Sequence, residues 1–237
     1  MTYLERVYAQ KIETAAADDL LFQVGHTEGG QAITPAQFSA MVGDLQTLLE
    51  LSPEDHLLDL CCGNGAVTSV LAPQVGATVG IDLVEGLVAV ARRQEHVGAH
   101  VRYQQGDLRR LSEHPALEEE PFNRVLLHAA LQHFTPGDFK PLMREILRRS
   151  TPDVVIVIGF VPEAGKQRFL LNTPRKRLYN WYLRARGRDM FGHWWSPAQL
   201  TQACADLGLA CSFHPVHDSL RASSHRFNMR MTLAAAR

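Results

Sequence analysis

From residue 56 onward, short apolar runs alternate with longer segments of mixed character. The runs are HLLDLC, TVGIDL, HVRYQQGD, FNRVLLHA and VVIVIGFV, and between them lie helical patterns at about 65–75, 84–95, 108–113 and 136–149. Runs rich in aliphatic and β-branched residues without strict alternation suit strands covered on both faces. Their alternation with helices predicts right-handed βαβ units on a parallel sheet, a doubly wound α/β core. Upstream, two helical patterns at roughly 3–22 and 35–50 flank the glycine-rich link VGHTEGG. In the second, Phe38, Met41, Val42, Leu45, Leu48 and Leu49 form an apolar stripe, and Thr34, Pro35 and Gln37 read as cap, first-turn proline and acceptor. After residue 161 the rhythm breaks. Segment 162–195 intervenes before a helix at 197–207, opened by Ser196 and Pro197, and strands at about 210–217 and 226–234 close the chain. HDSLRASSH between them is too short for a crossover helix, so they are expected to pair antiparallel.

This pattern predicts one domain over 1–237. It divides into an N-terminal helical cap (1–50), a ligand-binding core (51–161), a lid insertion (162–195) and a terminal helix with an antiparallel hairpin (196–237). Composition fits an ordinary globular chain, with 46% hydrophobic and 21% charged residues. A net charge of −1, from 24 basic and 25 acidic residues, exerts no global pull towards nucleic acid or a membrane, so any basic partner site must be local. The acidic start MTYLERVYAQKIETAAADDLL lacks the apolar core of a secretory signal, and a cytoplasmic location is expected. Cys61, Cys62, Cys204 and Cys211 have the spacing of neither a disulfide framework nor paired zinc knuckles.

LLDLCCGNGAVT (57–68) places Gly63 and Gly65 at the end of the first core strand. In open parallel sheets the ligand lies beyond the carboxyl ends of the strands, and residues without Cβ permit a tight turn and close backbone approach there. Adjacent cysteines lack the CxxC spacing of a redox dithiol. Asp82 ends the second strand, placed for a carboxylate to accept protons from both hydroxyls of a ribose. Glycine bend and strand-end acid together read as adenosine recognition. Where a GxGxxG dinucleotide loop has its third small residue stands Thr68, whose β-branched side chain weakens the pyrophosphate reading.

The stretch around Asp59, Cys61, Gly63 and Gly65 resembles the first motif of class I S-adenosylmethionine-dependent methyltransferases, D/E-x-G-x-G-x-G, with Cys61 in the first glycine slot. VGIDLVEGLVAVARR resembles the second motif, Asp82 matching the ribose-binding acid beside Leu83. VRYQQGDLRRL resembles the third, Asp107 matching the acid that receives the adenine amino group and Leu108 flanking the ring. FNRVLLHAALQHF resembles the fourth through Phe122, Val125, Leu131, His133 and Phe134, with Asn123 replacing the usual aspartate. WWSPAQLTQACADLGL and the strands after it resemble the family's last helix and hairpin. The resemblance implies a Rossmann-like seven-stranded sheet of order 3-2-1-4-5-7-6 with the last strand antiparallel, S-adenosyl-L-methionine as cofactor and a small molecule as methyl acceptor. It also implies that Asp59, which by position could cap the following helix, holds the loop and reaches the methionine amino group; His128, inside the apolar strand, reads as structural or as a wall of the cofactor pocket.

His133, after the fourth core strand, is the candidate general base, because an imidazole titrates near neutral pH. The competing role, filling the core or orienting backbone, weighs equally. Segment 162–195 carries Lys166, Arg168, Arg175, Lys176, Arg177, Arg184, Arg186 and Arg188 against Glu163 and Asp189, interleaved with aromatics. Two readings stand beside each other: a lid that binds an anionic small molecule, and a solvated basic helix face packed through its aromatics. Neither a membrane nor a nucleic-acid partner is expected, and no metal site is. Gln31, Thr34, Gln37, Tyr8 and Lys11 are further polar candidates near the site, as is His193. Two rival functions remain: a nicotinamide-dependent oxidoreductase, and an S-adenosylmethionine-binding protein without catalysis.

Overall fold

The computed structural model describes residues 3–94, 100–114, 121–186 and 191–234. The expected reach of one helix to residue 95, and the charges of Arg188 and Asp189, lie outside the described residues. A seven-stranded sheet has the order β5-β4-β3-β6-β7-β9-β8. These are β3 (His56–Leu60), β4 (Ala77–Asp82), β5 (Val101–Gln105), β6 (Phe122–His128), β7 (Ser150–Pro162), β8 (Leu209–Pro215) and β9 (Arg226–Leu233). Numbered within the sheet this is 3-2-1-4-5-7-6, as the sequence implied. β3, β4, β5, β6 and β7 pair in parallel, while β9 runs antiparallel to both β7 and β8.

Alternate side chains of each central strand enter different layers, which explains the uninterrupted apolar runs. Leu57, Leu126, Val155 and Val157 pack under α3 (Pro35–Leu49), against Met41, Val42, Leu45, Leu48 and Leu49. Leu58, Leu60, Val125, Leu127, Ile156 and Ile158 face the other layer, with Phe139, Met143 and Ile146 of α6 (Pro136–Arg148) and Leu200 and Cys204 of α9 (Pro197–Ala205). The predicted cap of α3 is present: the Thr34 hydroxyl accepts from the Gln37 N–H at 3.2 Å, and Gln37 Oε1 accepts from the Thr34 N–H at 2.9 Å. Asn123 gains a role its motif position did not suggest. Its Oδ1 accepts from the His56 N–H at 2.8 Å and its Nδ2 donates to Asp55 at 2.7 Å, tying the start of β6 to that of β3.

Some elements differ from expectation. The first helical pattern is two helices, α1 (Tyr3–Thr14) and α2 (Leu20–Gln23), and the glycine-rich link contains a two-stranded hairpin of β1 (Thr27–Glu28) and β2 (Gln31–Ala32). The helix expected at 65–75 is only α4 (Thr68–Leu71) and a 3-10 turn, because Pro73 cannot continue the ladder. The helix expected at 84–95 is α5 (Glu85–Ala91). Segment 162–195 holds α7 (Gln167–Leu170) and α8 (Pro174–Ala185). Among the described residues no helix is long and apolar enough to cross a membrane.

Candidate functional site

At the carboxyl ends of β3, β4 and β6 lies one cavity. Its walls include Asp59, Cys61, Gly63, Asp82, Leu83, Asp107, Leu108, His128 and His133, which with Gly65 are the cofactor candidates and the candidate base read from sequence. Gly65 is the exception. It has φ +77°, and a Cβ there would sit 2.6 Å from the Tyr103 hydroxyl, so this glycine lets β5 close beneath the loop. Gly63, with φ +58°, makes the approach on the cavity side: a Cβ would come within 2.8 Å of Val24 Cγ1.

The carboxylates are built in. Asp82 is 8% exposed; its Oδ2 accepts from the Gly63 N–H at 2.9 Å and its Oδ1 from the Val84 N–H at 2.8 Å. Each oxygen retains acceptor capacity beyond these bonds. Burial raises the Asp82 pKa, opposed by the backbone donors of Val84, Gly63 and Leu83. Asp59 is pushed up to about 7 by burial, against the Thr68 hydroxyl, which donates to it at 2.5 Å, and with the nearby Asp82 charge adding to the rise. Thr68 is therefore fully buried for a reason: it satisfies the deepest acid. Asp59 does not cap α4, whose N-terminus has no side-chain cap bond. Asp107 accepts from the Arg109 N–H at 3.0 Å at the rim.

Cys61 adopts φ +59° in the slot where the family motif has glycine, a left-handed conformation that β-carbon sterics disfavour. Burial and the neighbouring acids push both the Cys61 and Cys62 thiols well above their usual range, so neither is a thiolate nucleophile.

His26 and His128 also line the cavity, and Phe160 packs against both. His128 lies 4.8 Å from the Phe160 ring and 5.4 Å from that of His26, and neither of its ring nitrogens has a hydrogen-bond partner among the described residues. Burial, His26 and Arg226 hold its pKa well below 6.5, and burial holds His26 down to about 4, so both rings are neutral. Phe160 is aimed by a break in the β7–β9 register between Ile158 and Val161, at a residue with φ +60°. His133 ends a 3-10 turn whose carbonyl accepts from Arg109 Nη2 at 2.8 Å, and the Arg109 guanidinium covers the Phe134 ring at 5.2 Å.

Leu4, Tyr8, Val24 and His26 reach the cavity from the N-terminal region. Of these, only Tyr8 was a sequence candidate; burial, then Asp82 and Cys61, raises its phenol to about 12, so it is a hydrogen-bond donor at neutral pH. Gln31, Thr34, Gln37 and Lys11 do not line the cavity. Gln37 instead caps α3 and donates to the Ser219 carbonyl at 2.9 Å. His193 packs edge-on against Trp195 at 4.7 Å, with its N–H bonded to the Gln132 carbonyl, away from the cavity. No described residue of 162–195 lines the cavity, so the lid expectation finds no contact there. His26 and Arg109 carried no motif that could have found them. Among the described residues no cluster of His, Cys, Asp and Glu could hold a metal ion.

The cavity's charged groups are three carboxylates and one guanidinium. This suits a ligand that carries positive charge together with ribose hydroxyls, and it disfavours a pyrophosphate. The model of a methyltransferase domain matches residues 57–153. The 23S rRNA (uracil(1939)-C(5))-methyltransferase RlmD of Vibrio cholerae is 34% identical over 92 residues, covering 38% of this chain and 21% of that protein. The chain spans 19 to 33% of the length of the RlmD relatives it first matches. Among solved structures, a DhpI–SAH complex superposes with TM-score 0.64 at 16% identity, covering 99% of this chain and 97% of that one. Magnesium protoporphyrin IX methyltransferase (ChlM) from Synechocystis PCC 6803 with bound SAH gives 0.63 at 14% identity, covering 96% and 99%.

Proposed function

We propose that this chain, whose residues 57–153 match the model of a methyltransferase domain, is a class I S-adenosylmethionine-dependent methyltransferase that transfers a methyl group to a small-molecule acceptor bound in the cavity beside His133. The observation that carries the reading is a roof: Leu4, Tyr8, Val24 and His26 of the N-terminal region line the cavity together with the strand-end residues, Val24 lying against Gly63. An RNA acceptor is the second reading, favoured by the RlmD relatives. It needs a groove that can follow a strand or admit a flipped base, and the roof opposes this.

In this reading Asp82 accepts the ribose hydroxyls, Asp107 and Leu108 hold the adenine, and Asp59 faces the methionine amino group. The buried, bonded carboxylates fit that ligand's positive charges. When bound, S-adenosylmethionine supplies an electrophilic methyl group. The protein's work is then to align the acceptor and to take up its proton. Tyr8, a neutral phenol, donates a hydrogen bond that fixes the ligand or acceptor, and His128 lines the same chamber with a neutral ring. His133 accepts the acceptor's proton.

His133→Ala tests the assignment of the base. Turnover is expected to fall about 100-fold or more, within the range of general-base contributions, while calorimetric affinity for S-adenosylmethionine stays within about 2-fold. Unchanged turnover removes His133 from the mechanism.

A further inference from the structure

The segment between β7 and α9 is absorbed neither by the cavity nor by the core. Residues 164–186 contain seven basic side chains, Lys166, Arg168, Arg175, Lys176, Arg177, Arg184 and Arg186, and no acidic one. α8 has no buried residue. Leu178 and Trp181 are each 67% exposed, Tyr182 is 42% exposed, and Ala185 is also exposed. These four stand at i, i+3, i+4 and i+7, which puts them on one face of the helix. Asn180 and Leu183, on the other side, are the half-buried residues, and Asn180 Oδ1 is enclosed by protein. α8 therefore rests on the body through Asn180 and Leu183 and turns its apolar stripe outward. On the helical wheel Arg177 and Arg184 border the stripe on one edge, and Arg175 and Arg186 on the other. The Arg186 guanidinium lies over the Tyr182 ring at 4.6 Å.

We infer that α8 docks flat on an anionic lipid surface, with Leu178, Trp181, Tyr182 and Ala185 at the acyl boundary. The flanking arginines meet the headgroup phosphates, and their aliphatic stems extend over the apolar edge. Tryptophan and tyrosine with bordering arginines are the side chains that favour the membrane–water interface. A second copy of the chain fits less well. The helix offers a strip roughly 18 Å by 10 Å, about a quarter of the roughly 800 Å² per partner that a stable interface needs. Two such helices would also bring like charges together. Single-stranded RNA fits less well too, because the stripe is convex and Leu178 and Ala185 provide no ring on which a base stacks. This placement is local to α8, so it is compatible with the even charge of the whole chain, and it does not depend on the identity of the cavity's ligand.

Co-sedimentation of the full chain with large vesicles tests the inference, comparing phosphatidylcholine alone with phosphatidylcholine mixed with phosphatidylglycerol. Partitioning onto the anionic vesicles is expected to exceed that onto neutral ones by about 10-fold and to weaken with added salt. Tryptophan emission should shift to the blue, and Trp181→Phe should remove the shift. Leu178→Glu combined with Trp181→Glu should abolish binding with an unchanged Tm, since both side chains are exposed. Arg175→Gln with Arg177→Gln should reduce only the preference for anionic lipid. Equal, weak sedimentation with both vesicle types overturns the inference, as does anionic binding that survives in the double glutamate variant. It is equally overturned if the double variant leaves lipid binding intact and instead dissociates a dimer in sedimentation velocity or loses binding to an oligoribonucleotide.

Discussion

Along the carboxyl ends of β3 and β4, each acid has a donor: Asp59 takes the Thr68 hydroxyl, and Asp82 takes the Gly63 and Val84 amides. Along α8 the arrangement is reversed, with basic side chains and large aromatics standing in solvent and no carboxylate in residues 164–186. The sequence shows dense charge in both places, but only the first region combines charge with burial. A buried charge is costly unless it is bonded, so bonded carboxylates facing a cavity mark a site that gains from a cationic ligand. An exposed charge costs little and carries information only through its pattern on the helix face. The two regions are thus separate surfaces, a chamber and an outward ridge.

Breaking the chamber should give the largest effect. Gly65→Ala places a Cβ against the Tyr103 hydroxyl at 2.6 Å in a backbone with φ +77°. Strain and overpacking together are expected to cost about 3 kcal/mol of stability in urea unfolding. A loss below about 0.5 kcal/mol would mean that β5 does not close tightly under the loop.

Asp59 sharpens the electrostatic side of the contrast. Its folded-state pKa is raised from 3.8 to about 7, so the stability linked to its proton is complete below the unfolded value and is lost as pH rises towards 7. Asp59→Asn is therefore expected to stabilise the protein more at about pH 8 than at about pH 5, by roughly 2–3 kcal/mol of difference. A cation bound beside Asp59 favours its charged form, so S-adenosylmethionine affinity in the native protein should rise between about pH 6 and about pH 8, by up to roughly 10-fold. Affinity independent of pH would place the cation away from Asp59.

Cys61 gives a smaller effect, opposite in sign to that of Gly65→Ala. With φ +59° at this position, Cys61→Gly relieves backbone strain worth about 1 kcal/mol and restores the motif's small residue. A rise in thermal midpoint with ligand affinity retained is expected. A fall in stability would show that the thiol's packing outweighs the strain.

The strands and one wall of the chamber were legible in sequence because both rest on local signals, whereas the strand order came from the family resemblance. Apolar runs announce strands buried on two faces, and Gly63, Asp82 and Asp107 stand at the ends of successive strands, where a parallel sheet collects ligand-binding groups. The other wall was illegible because it is tertiary. His26 follows a glycine in a link with no periodicity, His128 packs against it and against Phe160 at a register break, and Arg109, after β5, reaches the His133 carbonyl beyond β6. Gly65 was legible as a required glycine, but its reason, the Tyr103 ring beneath it, lay two strands away. For α8 the residues were read correctly and their orientation was not. A helix's apolar stripe normally packs inward, and here the half-buried Asn180 and Leu183 hold the opposite side against the body.

The most direct measurement of the central claim is isothermal calorimetry of the full chain with S-adenosylmethionine and, in parallel, with NAD. Saturable one-to-one binding of S-adenosylmethionine is predicted, weakened at least about 10-fold by Asp82→Ala as expected for a lost charged hydrogen-bond acceptor, with no heat from NAD. Binding of NAD, or S-adenosylmethionine binding indifferent to Asp82, would contradict the assignment of this cavity.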